Sequence, residues 1–120
     1  SDPKQNYLKN AEFIFKNRLL MKSGNINDLY SLAISQILQK KANKALITID
    51  QILSQDSYNS YTLLAKSVVE IYQFKFSHAN NTIKKAIKYS TDKNIEDTLK
   101  TIRSLTKILS FDFSNEDLVI

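Results

Sequence analysis

An all-α fold built from repeated helical hairpins is predicted by three features of the sequence. The 120 residues include one Gly and one Pro, so few breakers interrupt long helices. Apolar residues recur every three or four positions in several stretches, the spacing of helices that bury one side. The stretch from Leu63 to Ala86 also repeats an upstream stretch at one constant offset. Leu63 falls on Leu29, Leu64 on Tyr30, Ser67 on Ala33, Val68 on Ile34, Gln73 on Gln39, Ala79 on Ala45 and Ile83 on Ile49. A hairpin of this kind leaves an apolar face too large to cover alone, so neighbouring units stack and bury those faces in a continuous core.

About six helices follow in order. Pro3 to Lys22 reads as the first, with Pro3 in the first turn, where its missing N–H costs nothing. Leu8, Ala11, Phe15 and Leu19 form its stripe, which Phe13 and Leu20 widen. Gly24 then ends the helix in a left-handed conformation. The second helix runs from about Asn27 to Gln39 behind a capping pair, Asn25 and Asp28, and packs through Leu29, Leu32, Ala33, Gln36 and Ile37. A turn at Lys40 to Asn43 leads to the third, Lys44 to Ser54, with Ala45, Ile49 and Ile52 inward. Ser57 or Asn59 caps the fourth, Ser60 to about Gln73, whose pattern is Leu63, Leu64, Ser67, Val68, Ile71 and Tyr72. A turn near Lys75 to Ser77 precedes the fifth, His78 to Tyr89. Asn94 and Asp97 open a sixth, to about Ser110, with Ile95, Leu99, Ile102, Leu105 and Ile108 on one side and Lys100, Arg103 and Lys107 on another. Residues 111–120 carry no helical stripe and read as an acidic and apolar tail.

Length and composition fit one folded domain over residues 1–110. With no cysteine, disulfides and thiolate metal sites are excluded, and a reducing, cytoplasmic compartment is the expectation. No apolar run reaches the ~20 residues of a membrane span, and no signal peptide is visible. Because the chain opens with Ser1, a piece of a longer or membrane-anchored parent stays open. Net charge is +5, and since the last ten residues contribute −3, residues 1–110 carry +8. Such a body attracts RNA, anionic lipid or an acidic protein, or is simply a solvated lysine-rich surface.

The register resembles that of the tetratricopeptide repeat family, whose period of about 34 residues equals the offset between Leu29 and Leu63. The match covers residues 26–59 and 60–93; the helix at 4–22 resembles the second half of an earlier repeat, and the capping helix at 94–110 the first half of a later one. Ala33, Ser67 and Thr101 take the family's small position midway along each first helix. Ala45 with Ile49, and Ala79 with Ile83, take its small and large positions in each second helix, and Ala86 matches a further small one that Ile52 does not. Gln36 and Glu70 stand where the family has an aromatic, Ser57 and Thr91 where it has Pro, and there is no Trp. The resemblance implies a right-handed α-α superhelix of two full hairpins plus flanking helices.

It also implies that the first helix of each hairpin lines a concave groove. Carried onto this chain, the inward set is Asn27, Tyr30, Ile34, Ile37, Tyr61, Leu64, Val68, Ile71, Tyr72, Thr98 and Ile102. An apolar, tyrosine-bearing surface of this kind suits a helix or an extended segment of a partner. The alternative is that the first helix or the tail covers these residues. The cationic clamp with which some members hold acidic chaperone termini is missing, since Tyr30, Ile34, Ala65, Ile95 and Leu99 occupy its places. The function predicted is therefore non-catalytic protein–protein interaction, as an adaptor or complex-assembly factor. The alternatives are a self-associating structural domain whose groove is filled by Phe111, Phe113, Leu118, Val119 and Ile120, and a binder of RNA or anionic surfaces. Nucleic acid is disfavoured because Lys40, Lys41, Lys44, Lys84, Lys85 and Lys88 are expected to face away from the aromatics. No cofactor, metal or catalytic residue is expected: His78 is the single histidine, and Glu96 and Asp97 sit in a first helical turn, where carboxylates favour the helix dipole.

Overall fold

A computed structural model describes the backbone of residues 3–20 and 25–119, and the side chains of residues 3–17 and 25–110. Six helices occupy it, with no strand among the described residues: α1 (Pro3–Leu20), α2 (Ile26–Leu38), α3 (Ala42–Gln55), α4 (Ser60–Tyr72), α5 (Phe76–Tyr89) and α6 (Lys93–Val119). The all-α class is as predicted. The chain divides into two compact units, Ser1–Ser57 with α1 to α3 and Tyr58–Ile120 with α4 to α6. The predicted stop at Gly24 lies outside the described residues.

In the first unit α2 opens on a reciprocal cap. Asn25 Oδ1 accepts from the N–H groups of Asn27 and Asp28, while Asp28 Oδ2 accepts from the Asn25 N–H at 3.0 Å. The helix closes with Lys40 in the left-handed region at φ 60°. The Lys40 N–H donates to the Ile37 carbonyl and the Lys41 N–H to the Gln36 carbonyl, both at 2.9 Å. That pairing satisfies two orphan carbonyls and reverses the chain in a short connector. Leu29, Leu32 and Ala33 are then buried with Ala45, Ile49 and Ile52 of α3, the small alanines letting the two backbones approach. Each fully buried isoleucine contributes roughly 1.5–3 kcal/mol.

The second unit repeats these features one period on. Asn59 caps α4 through Oδ1, accepting from the Thr62 N–H at 3.0 Å. Phe74 has φ 59°, and the N–H groups of Phe74 and Lys75 donate to the carbonyls of Ile71 and Glu70, both at 2.9 Å. Leu63 and Ser67 are buried, as are Phe76, Ala79, Ile83 and Ala86 of α5. Both connectors are shorter than the pattern predicts: α3 starts at Ala42 instead of Lys44, and α5 at Phe76 instead of His78. The sequence carries no signal for this, because residues other than Gly hold the left-handed positions.

Two helices depart further from expectation. α6 starts at Lys93 because Asp92, not Asn94, caps it: Asp92 Oδ1 accepts from the Asn94 N–H at 2.8 Å. Its buried face is Ile95, Leu99 and Thr106 with Ile102 half-buried, leaving Leu105 and Ile108 exposed. Those two sit roughly 80° and 140° around the helix from Ile95, too far to share its face. Thr106 tolerates burial because its hydroxyl donates to the Ile102 carbonyl at 2.7 Å. Residues 111–119, read as a tail, continue α6. The expected filling of a groove by Phe111, Phe113, Leu118, Val119 and Ile120 lies outside the described side chains. On α1, Leu8, Ala11 and Phe15 are half-buried as the stripe predicts, while Leu19 and Leu20 lie outside the described side chains. Phe13 is exposed, and the most buried described side chain of this helix is that of Glu12.

Candidate functional site

Both leading helices of the hairpins keep a second apolar face after burying the first. On α4, Leu63, Ser67 and Glu70 are buried, while Tyr61 and Tyr72 are exposed and Leu64, Val68 and Ile71 are half-buried. On α2, Leu29, Leu32, Ala33 and Gln36 are buried, while Asn27 and Ile34 are exposed and Tyr30 and Ile37 are half-buried. Thr98 is exposed and Ile102 half-buried on α6. Every residue assigned to the groove therefore has access to solvent within its own unit. Four of them belong to the first unit and seven to the second.

Tyr61 has a further attachment. Its hydroxyl donates to Asp92 Oδ2 at 3.0 Å, so one carboxylate both caps α6 and holds the start of α4. The hydrogen bond to Asp92 raises the Tyr61 pKa above the ordinary phenol value, and the nearby carboxylate charge adds to it. Tyr61 thus enters any contact as a hydrogen-bonded, ring-presenting side chain.

A polar cluster missed by the sequence pattern lies in the first unit. Lys41 Nζ donates to Glu12 Oε1 at 2.7 Å and Gln39 Nε2 to the same oxygen at 3.2 Å. Gln36 Nε2 donates to Glu12 Oε2 at 3.3 Å, and Lys16 Nζ lies 3.4 Å from it. Burial pushes the Glu12 pKa up, but the hydrogen bonds from Lys41, Gln36, Gln39 and Lys16 together outweigh it, bringing the group from 4.5 down to about 2. Beside this cluster an open cleft of about 450 Å³ has buried Leu32, Gln36 and Thr48 at its floor and Lys16, Lys44, Ile47 and Gln51 at its rim. No spacing rule signals Glu12, because a single acid on an apolar stripe looks like a register error until its cations arrive from another helix.

The expected separation of lysines from aromatics does not hold in the second unit. The rings of Tyr58 and Tyr89 meet at a tilt of 36° with centroids 4.3 Å apart, Lys85 Nζ lies 5.7 Å from the Tyr58 centroid and Lys88 Nζ 5.4 Å from that of Tyr89. The rings and ammonium groups engage one another, which clasps the start of the unit to the end of α5. Among the described residues no group of three or more His, Cys, Asp or Glu comes together as a metal site, and no helix is long and apolar enough to cross a membrane. Compared with protein-family models, curated proteins and solved structures, the chain matches none.

Proposed function

We propose that this chain is a non-catalytic binding module of tetratricopeptide-like hairpins, stacked as a right-handed superhelix, that takes a helix or extended segment of a partner protein. The carrying observation is the face of α4, where Tyr61 and Tyr72 stand exposed around half-buried Leu64, Val68 and Ile71, after the helix has already buried Leu63 and Ser67. Tyrosine supplies contact area and a polar tip at small entropic cost, and aliphatic neighbours give an apolar segment somewhere to bury its own side chains. The equivalent face on α2, with Tyr30, Ile34 and Ile37, has the same chemistry. An adaptor or assembly role follows from a module that binds and does no chemistry.

The test is the double variant Tyr61→Ala with Val68→Asp, set against Tyr61→Phe, which removes only the hydrogen bond to Asp92. The double variant is expected to lose at least about 30-fold in affinity for the captured partner, as at a buried hot spot, with its circular-dichroism helix signal kept. Tyr61→Phe is expected to bind within about threefold of wild type, since a ring-sized contact survives. Full partner capture by the double variant would rule out this face, and loss of the helix signal would make these residues core.

A further inference from the structure

We infer that the outer face of α5 in the second unit, with Tyr58 and Tyr89 at its end, is a contact surface for single-stranded nucleic acid. Between Glu70 and Asp92 the sequence has four lysines and no acid. The exposed residues of α5 are Ser77, His78, Asn81, Lys84, Lys85 and Lys88, and Lys84 and Lys88 are one helical turn apart. Among the described residues none of Lys84, Lys85 and Lys88 has a carboxylate partner. Glu70 takes the Thr82 hydroxyl, Asp92 holds Tyr61 and the start of α6, and Glu96 pairs with Lys100. The charge of the three lysines is therefore available to an anion.

Lysines and aromatics, expected to face apart, meet on this surface. Lys85 and Lys88 lie over the rings of Tyr58 and Tyr89, and Tyr58 stays 58% exposed with its ring partner and Lys85 in place. Ring surface is thus open to an unstacked base beside ammonium groups that can take its phosphates, the combination that single-strand binders use. An exposed cation–π contact is weak enough to yield when a phosphate arrives. Packing of the hairpin does not demand this surface: one period upstream, the places of Lys84, Lys85, Lys88 and Tyr89 are held by Asp50, Gln51, Ser54 and Gln55. Other anions fit less well. α5 exposes no apolar side chain to enter a bilayer, which an interfacial helix needs. An acidic protein segment is gripped best by the fork of Arg, whereas the strong cations of this face are all Lys, point charges suited to phosphate. A duplex keeps its bases stacked away from the rings. This inference does not depend on the α4 face, and its variants leave that face intact.

Fluorescence anisotropy of a labelled single-stranded RNA of about 15 nucleotides, titrated with the full chain, is the test. Wild type is expected to bind with a Kd of about 1–100 μM in ~0.1 M salt, with log K falling against log salt at a slope near −2, about −0.7 for each of three phosphates. Lys84→Gln, Lys85→Gln and Lys88→Gln combined are expected to cost at least about 10-fold and to remove most of that slope. The same charge removed at exposed Lys9, Lys40 and Lys44 of the first unit is expected to change binding by less than about threefold. Tyr58→Leu is expected to weaken RNA binding at least about fivefold and to leave binding of inorganic polyphosphate, which has no bases, unchanged. No binding by ~100 μM overturns the inference, as does an equal loss from both lysine sets or a Tyr58→Leu chain that binds RNA like wild type. Tighter binding of a duplex of the same length, of polyglutamate or of phosphatidylserine vesicles overturns it too, and assigns the face to that anion. If Tyr58→Leu loses its helix signal, ultraviolet crosslinking of wild type replaces it, and the RNA must then be found on Tyr58 or Tyr89.

Discussion

In the hairpin of α2 and α3, the Thr48 hydroxyl donates to Gln36 Oε1 at 2.6 Å; in that of α4 and α5, the Thr82 hydroxyl donates to Glu70 Oε1 at 2.7 Å. These positions lie one period apart, and Gln36 and Glu70 are the two places where the sequence departs from the aromatic of the family that it resembles. A buried polar brace between the two helices of each hairpin therefore stands where a ring would pack. The braces differ in what else they meet. Gln36 also donates through Nε2 to Glu12 of α1, a bond that an amide can make and a carboxylate cannot. Gln at position 36 thus answers to the neighbouring helix, whereas the bond to the threonine is met equally well by Gln or Glu.

Exchanging the two side chains tests that comparison most severely. Gln36→Glu would place a second carboxylate against buried Glu12 and is expected to destabilise the first unit by about 2–4 kcal/mol, whereas Glu70→Gln keeps an acceptor for Thr82 and is expected to cost less than about 1 kcal/mol. Urea melts for the size of the change, and amide hydrogen exchange for its location, read both. Equal effects in the two units would break the comparison.

Acid titration comes next in size. Glu12 has a folded pKa of about 2, below its ordinary 4.5, so its stabilising contribution is complete above pH 4.5 and is lost as pH falls towards 2. The shift corresponds to about 3.5 kcal/mol at most, at ~1.4 kcal/mol per pH unit, and to less where water screens the lysines. Glu12→Gln is expected to be less stable than wild type at neutral pH and to lose much of the decline between pH 4.5 and 2. Melting midpoints across that range are the measurement, and an unchanged slope in the variant would remove Glu12 from the account.

The smallest effect sharpens the likeness of the two connectors. Lys40 and Phe74 occupy the left-handed region, where a Cβ is disfavoured by roughly 1 kcal/mol or more. Lys40→Gly is expected to stabilise the protein by about 0.5–1 kcal/mol. Phe74→Gly is expected to gain less, because the Phe74 ring packs edge-on against Phe76 with centroids 6.1 Å apart. Thermal midpoints of the two variants decide it.

Much of the fold is legible in the sequence because it is local. Pro3 starts α1, Asn25 with Asp28 starts α2 and Asn59 starts α4, each through an effect confined to one helical turn. The connectors are shifted because the Lys40 and Phe74 conformations leave no compositional mark. Apolar periodicity misplaces the face of α6 because it is blind to Thr106, which supplies an inward position. At the candidate site, the apolar and aromatic character of α4 is plain from its residues, but neither the Tyr61–Asp92 bond nor the meeting of Lys85 and Lys88 with Tyr58 and Tyr89 is.

The sequence alone determined the helices and the periodic likeness of their hairpins, since caps and apolar spacing act over a few residues of one chain. Only the tertiary structure decided which polar side chains go inside. A group such as Glu12 is buried at tolerable cost only where Lys41, Gln36 and Gln39 converge on it from another part of the unit. Partners brought together across 24 to 29 positions leave no pattern in the residues that precede or follow them.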